Sequence, residues 1–255
     1  MTNGYEQVYR RSLQDPQGFW AEAASALDWY RVWDQVLDGS RAPFYRWFRG
    51  GVLNTCYNAV DRHAAGERGE QPALIYDSAV AGICREYSYR QLREEVARFA
   101  GVLRACGVEK GDRVVVYMPM VPETVIAMLA CARIGAIHSV VFGGFAAEEL
   151  ASRISDAGPK LIVSASCGLE AGRVIPYKPL LDDAIAKATA KPGTLHYSAT
   201  AATDSAVSTG PRPRLCGSDG QCAAGGRMCA ASCDRSALYP LHVRHDRHPR
   251  GYGAR

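Results

Sequence analysis

Residues 110–145, KGDRVVVYMPMVPETVIAMLACARIGAIHSVVFGGF, read as strand, helix, strand and glycine turn with almost no spare residues. Arg113 to Met118 is a short valine-rich run bounded by Pro119. Pro122 suits the first turn of a helix, where a missing N–H costs nothing. Glu123 in the same turn complements the helix dipole. From Val121 to Ile134 the chain is apolar nearly all round, the mark of a buried helix. Gly135 ends it, Ile137 to Phe142 is a second apolar strand, and Gly143-Gly144 is a hinge that glycine adopts most easily. A β-α-β unit this compact predicts parallel strands joined by a right-handed crossover.

The pattern extends in both directions. Downstream, the spacing predicts a helix from about Ala146 to Ala157 and a third strand over Leu161 to Ser164. Residues 113–164 are then β-α-β-α-β, half of a doubly wound sheet, so the fold class is α/β. A further helix is predicted over Lys178 to Ala190. Upstream, Ser88 and Gln91 form a capping box ahead of a helix carrying Leu92, Val96, Phe99, Ala100 and Leu103 on one face. Before it lie two short strands, Ala73 to Tyr76 and Arg85 to Ser88, and a helix opening near Asn54. All four tryptophans fall in the first 61 residues, a helical, aromatic-rich lead-in with Asp15-Pro16 as one helix start. Two readings stand for it: a stacking platform for bases or sugars, or aromatic anchors holding an N-terminal arm on a larger body. No basic groove accompanies the aromatics, which favours the second.

With 255 residues and 47% hydrophobic content the chain can bury a substantial core. It shows no long uncharged apolar run, and its first residues have no apolar signal segment. The expectation is a cytoplasmic protein with no membrane partner. The formal charge of +4 hints at nucleic acid, but it is unevenly placed. From Leu195 onward there are eight arginines against four aspartates, with neither lysine nor glutamate, which is the whole excess. The body is near neutral, so no specific nucleic-acid partner is expected.

Candidate chemistry is sparse. The turn reads G-G-F-A-A-E-E rather than G-x-G-x-x-G, and Glu148 and Glu149 place negative charge where a pyrophosphate needs positive potential. A nicotinamide or flavin site is therefore disfavoured. His138 lies in a buried strand and reads as a core group. Cys56, Cys84, Cys106, Cys131 and Cys167 have no C-x-x-C spacing and read as small core residues of a reduced compartment. Glu170-Ala171-Gly172-Arg173 follows the third strand; the glycine permits close approach and the arginine offers a fork for phosphate. Downstream, Cys216, Cys222, Cys229 and Cys233 with His242, His245 and His248 invite a zinc reading. Their spacing departs from the usual C-x₂₋₄-C pairs, and no metal site is expected.

Four segments together resemble the short-chain, AMP-forming acyl-CoA synthetases of the adenylate-forming ligase superfamily, most closely those acting on propionate, with the acetate enzymes as near relatives. They are NTCYNAVDRH, QPALIYDS, the 110–145 stretch, and SCGLEAGRVIPYKPLLDDAI. The resemblance spans about residues 5–192. It implies a helical N-terminal cap over residues 1–61 and the first part of an AMP-dependent synthetase large domain over 62–192, a partial doubly wound sheet. It implies an enzyme that makes acyl-AMP from a carboxylate and ATP, with Mg²⁺, and passes the acyl group to coenzyme A. Carried over residue by residue, Glu170, Ala171, Gly172 and Arg173 would contact coenzyme A, with Arg173 on a phosphate, and Gly143 would lie near the pantetheine arm. No catalytic residue is assigned.

The family's Ser/Thr/Gly-rich ATP loop should follow soon after residue 230, and its catalytic lysine beyond. Neither is readable. Plausible codons for Tyr239 to Pro249, shifted by one base, read ILYTSGTTGT, the family's phosphate-loop signature. The same shift at Leu195 to Ser205 gives CIILQRPQLT. The expectation is a frameshift near Gly193 and an out-of-frame tail over 193–255. That tail has no Ile, Phe or Trp from 195 on, so it is expected to be disordered. On this reading the ATP site is absent and the chain is inactive alone. The alternative is a non-enzymatic fragment or interaction module with at most residual coenzyme A binding.

Overall fold

A computed structural model describes residues 4–143, 146–171 and 173–190, and the backbone alone of 194–198 and 241–242. The described residues fall into two compact units, the first made of the residues up to Asn54 together with Leu241–His242, the second beginning at Thr55.

The first unit opens with helices α1 (Gly4–Gln14) and α2 (Pro16–Ser25). Asp15 caps α2, its carboxylate accepting from the Gly18 N–H at 2.9 Å, with Pro16 in the first turn as expected. An antiparallel hairpin follows, β1 (Gln35–Asp38) and β2 (Arg46–Arg49), and then the short strand β3 (Val52–Leu53). The helical reading of this lead-in missed the hairpin. Trp29, Trp33 and Phe48 pack as one cluster, ring centroids 5.0 to 5.6 Å apart. The Trp29 indole N–H donates to the Ala24 carbonyl at 2.8 Å. These aromatics therefore hold their own unit together.

The second unit begins with a π-helical turn (Tyr57–Asp61) that runs into α3 (Arg62–Ala65). The hairpin β4 (Pro72–Ser78) and β5 (Ile83–Ser88) follows, longer than predicted. Then comes α4 (Tyr89–Ala105), whose capping box is complete: Ser88 N–H donates to Gln91 Oε1 at 2.9 Å, and Gln91 N–H to Ser88 Oγ at 3.3 Å. The 110–145 stretch forms β6 (Arg113–Met118), α5 (Pro122–Ile134) and β7 (Ile137–Phe142), matching its reading closely. After it come α6 (Ala147–Ala157), β8 (Leu161–Ala165), the hairpin β9 (Cys167–Glu170) and β10 (Arg173–Pro176), and α7 (Tyr177–Lys187). A last backbone strand, β11 (Thr194–Ser198), pairs parallel with β8.

The sheet is parallel, in the order β11-β8-β6-β7. The chain leaves β6 for β7 on one side, then returns past β6 to β8. Right-handed crossovers in opposite directions put α5 and α6 on opposite faces. α4 packs with α5, and α6 packs with α7. Buried from both sides, β6 is a continuous apolar run: Val114, Val115, Val116 and Tyr117 have no exposed surface. Each such side chain contributes roughly 1.5–3 kcal/mol of burial. Among the described residues β7 pairs only with β6 and forms the outer edge of the sheet.

The tail expected to be disordered lies almost wholly outside the described residues, as do its cysteines and histidines proposed as a zinc pattern. The exceptions are two backbone segments. Thr194–Ser198 forms β11, because the free side of β8 offers a parallel ladder to the chain returning from α7. Leu241–His242 forms β12, paired with β3 in the first unit.

His138, expected to be buried, is only half-buried on the edge strand. Burial still holds its imidazole below the ordinary value. A lowered value in the fold means the unfolded chain takes up the proton first. The corresponding stability is complete above the unfolded pKa near 6.5 and is lost as pH falls through the folded value. Urea midpoints measured between pH 7.5 and 5 should decline less steeply for His138→Gln than for the unmodified chain.

Candidate active site

In an open α/β sheet, ligands gather outside the carboxyl ends of the strands where the strand order reverses. Here that point lies between β6 and β8, and a cavity of about 320 Å³ opens there. Its floor is made by the strand ends Met118, Phe142 and Ala165. Pro119 to Glu123 at the start of α5 form one side, and the tip of the β4–β5 hairpin another. Gly143, Gly168, Glu170 and Tyr177 complete the wall.

Tyr177, the first residue of α7, is 4% exposed and leans on Tyr117 of β6, ring centroids 4.9 Å apart. Its hydroxyl end lies between two glycines. A Cβ at Gly168 would meet the hydroxyl at 2.6 Å, and a Cβ at Gly143 would overlap it. The Tyr117 hydroxyl donates to the Gly143 carbonyl at 3.4 Å. Burial, reinforced by the neighbouring Tyr117, pushes the Tyr177 phenol up to about 12, and burial raises Tyr117 as well. Both are neutral hydrogen-bond donors at physiological pH.

The expected site residues fall into two groups. Gly143 and Glu170 line the same cavity. Arg173 faces Glu170 across the β9–β10 hairpin, and its Nε and Nη2 both donate to Glu170 Oε2, at 2.8 and 2.6 Å. Both side chains are largely exposed, so the arginine fork stands at the rim. Ala171 is exposed in the turn between them, and Gly172 lies outside the described residues. Gly143 does not have the left-handed backbone that the hinge reading expected of the glycine pair. Its requirement is room for the Tyr177 hydroxyl, and Gly144 lies outside the described residues. Glu148 and Glu149 do occupy the first turn of α6, and Glu148 pairs with Lys187 at 2.6 Å.

Cys56, Cys131 and Cys167 are buried, as the core reading expected, but Cys84 is exposed on the hairpin strand β5 and Cys106 is half-buried just past α4, so the core reading does not hold for those two. Burial pushes the thiols of Cys56 and Cys131 up to about 11 and about 12, far from a reactive thiolate. Beside Cys56 is an ion pair that sequence reasoning missed, Asp61 with Arg133, both side chains mostly buried. Among the described residues no group of metal-ligating side chains converges.

Comparison with known proteins gives this site a setting. Residues 60–214 match the AMP-binding enzyme family. The chain belongs to that family. Residues 5–59 match the acetyl-coenzyme A synthetase N-terminus. The chain is 52% identical over 191 residues to the propionate–CoA ligase of Salmonella typhimurium, covering 74% of this chain and 30% of that protein. It is 47% identical over 188 residues to the human mitochondrial acyl-CoA synthetase short-chain family member 3, covering 74% and 27%. Among solved structures, acetoacetyl-CoA synthetase from Streptomyces lividans superposes with a TM-score of 0.68 at 26% identity, covering 76% of this chain and 30% of that one. The α/β sheet is thus that of an AMP-binding enzyme, and the chain spans about 30% of the length of these relatives. No helix among the described residues is long and apolar enough to cross a membrane.

Proposed function

We propose that this chain is the N-terminal portion of a propionate- or acetate-CoA ligase, and that the cavity between β6 and β8 receives part of coenzyme A. On this reading residues 1–61 are the cap, 62–192 the first part of the large domain, and 193–255 an out-of-frame tail. The observation that carries the site assignment is the meeting of Gly143 and Glu170 in one cavity wall with Arg173 at its rim. A slender chain fits beside the glycine, and a charged head group fits at the arginine. The intact ligase would form acyl-AMP from a short-chain carboxylate and ATP with Mg²⁺, then transfer the acyl group to the coenzyme A thiol. With residues 193–255 read out of frame, the ATP loop is not present in that segment, and the chain alone does not complete that cycle. A cytoplasmic location goes with this reading.

For binding, Arg173 must exchange Glu170 for a phosphate. Surface ion pairs of this kind are worth at most about 1 kcal/mol, whereas a charge-assisted fork on phosphate is worth about 1.5–3 kcal/mol. Isothermal titration should therefore show coenzyme A binding to the chain, weakened roughly 10- to 100-fold in Arg173→Ala and further weakened by salt. No binding by the unmodified chain removes the site assignment. Pyrophosphate release from ATP plus propionate at ligase rates removes the claim that the chain is inactive.

A further inference from the structure

The Tyr177 side chain lines the cavity. The residue is 4% exposed, and among the described residues the hydroxyl makes no hydrogen bond. Among the described residues the Tyr177 oxygen is not one of the polar atoms closed off without a partner, so it is open to the cavity that the residue lines. The ring is held from three sides: by Tyr117, and by Gly143 and Gly168 flanking its hydroxyl end. Both glycines, like Tyr177, belong to the cavity wall. The absence of side chains at these two positions makes room for the hydroxyl against both backbones.

The surroundings decide what the hydroxyl can bind. Met118, Pro119, Val121, Phe142 and Leu169 make this wall mainly apolar. The phenol stays protonated at neutral pH, so it acts as a donor. The matching ligand group is a neutral carbonyl acceptor carried on a narrow, partly apolar chain. We propose that Tyr177 is a ligand-positioning residue whose hydroxyl donates to an amide carbonyl of the pantetheine arm as that arm passes along the cavity wall that Tyr177 shares with Gly143 and Gly168. The proposal rests on the coenzyme A reading above and adds to it the group that fixes the arm's depth. Arg173, at the rim, holds the opposite end of the same ligand.

The test separates the two ends. The full chain, Tyr177→Phe and Arg173→Ala are titrated with coenzyme A and with adenosine 3′,5′-bisphosphate, which keeps the nucleotide end and lacks the arm. Phenylalanine preserves the ring packing, and an unchanged melting temperature checks this. Tyr177→Phe should weaken coenzyme A about three- to tenfold, the range of one lost neutral hydrogen bond, and leave the bisphosphate unchanged. Arg173→Ala should weaken both. Equal coenzyme A affinity in Tyr177→Phe and the unmodified chain overturns the proposal and leaves the coenzyme A reading standing. So does a Tyr177→Phe loss shared equally by the bisphosphate, which marks a general distortion. If the unmodified chain binds neither ligand, the coenzyme A reading fails and takes this inference with it.

Discussion

Asp61→Ala will destabilise the second unit by about 3–5 kcal/mol, the largest single-site loss expected in this chain. Asp61 ends the π-helical turn that precedes α3, and Arg133 lies in the last turn of α5, 72 residues further on. Their side chains retain only 14% and 11% of their surface. Burial works against the Arg133 charge; the neighbouring Cys56 and Asp61 outweigh it, so the guanidinium stays firmly protonated. Removing the carboxylate leaves that charge inside the protein without its counter-ion. Asp61→Asn keeps a hydrogen-bond acceptor and should lose less. Asp61→Leu combined with Arg133→Met removes both charges and should recover most of the loss, since apolar pairs often match buried ion pairs. Urea denaturation of the four proteins reads all of this. Equal stability of Asp61→Ala and the parent would mean the pair is solvated and contributes nothing.

Gly143→Ala is the second. The new methyl would overlap the Tyr177 hydroxyl and come within 2.6 Å of the ring carbon that bears it. The ring cannot retreat, because Gly168 stands at its other side and Tyr117 beneath it. Overpacking of this kind costs about 1–3 kcal/mol, and coenzyme A binding should fall at least tenfold as the wall deforms. Tyr177→Phe in the same background removes the nearest atom and should restore part of the stability without restoring the binding. Thermal melts and titrations of the single and double variants form the cycle. An alanine tolerated without loss of either property would show that Gly143 is not held against Tyr177.

The scaffold was legible because its signals are local. β6, α5 and β7 follow from a valine run, a proline at the helix start and a glycine at its end. The capping box of α4 follows from two residues three apart. The β1–β2 hairpin was hidden by aromatic residues that suit a helix face as well as a strand. The β9–β10 hairpin was hidden because four-residue strands around E-A-G-R read as a loop. The site was legible only in part. Glu170 to Arg173 stood out by a glycine beside an arginine and were tied to coenzyme A, like Gly143, by the family resemblance; among the described residues of that set, Gly143 and Glu170 line the cavity. Tyr177 and Gly168 carried no signal, because a tyrosine ahead of a helix and a glycine in a strand each have many ordinary explanations. Asp61 and Arg133 could not be paired from sequence: nothing in either neighbourhood announces a partner 72 residues away.

The outer edge of the sheet has a consequence for handling the protein. β7 shows one side of its backbone no partner among the described residues, and Ile137, Val140 and Phe142 along it are 55%, 48% and 64% exposed. Such an edge can accept a further strand, either parallel from a distant part of a chain or antiparallel from another segment or molecule. Colloidal behaviour and yield will therefore follow concentration more than temperature, with dilution and low-salt buffers keeping the molecules apart long enough to be measured.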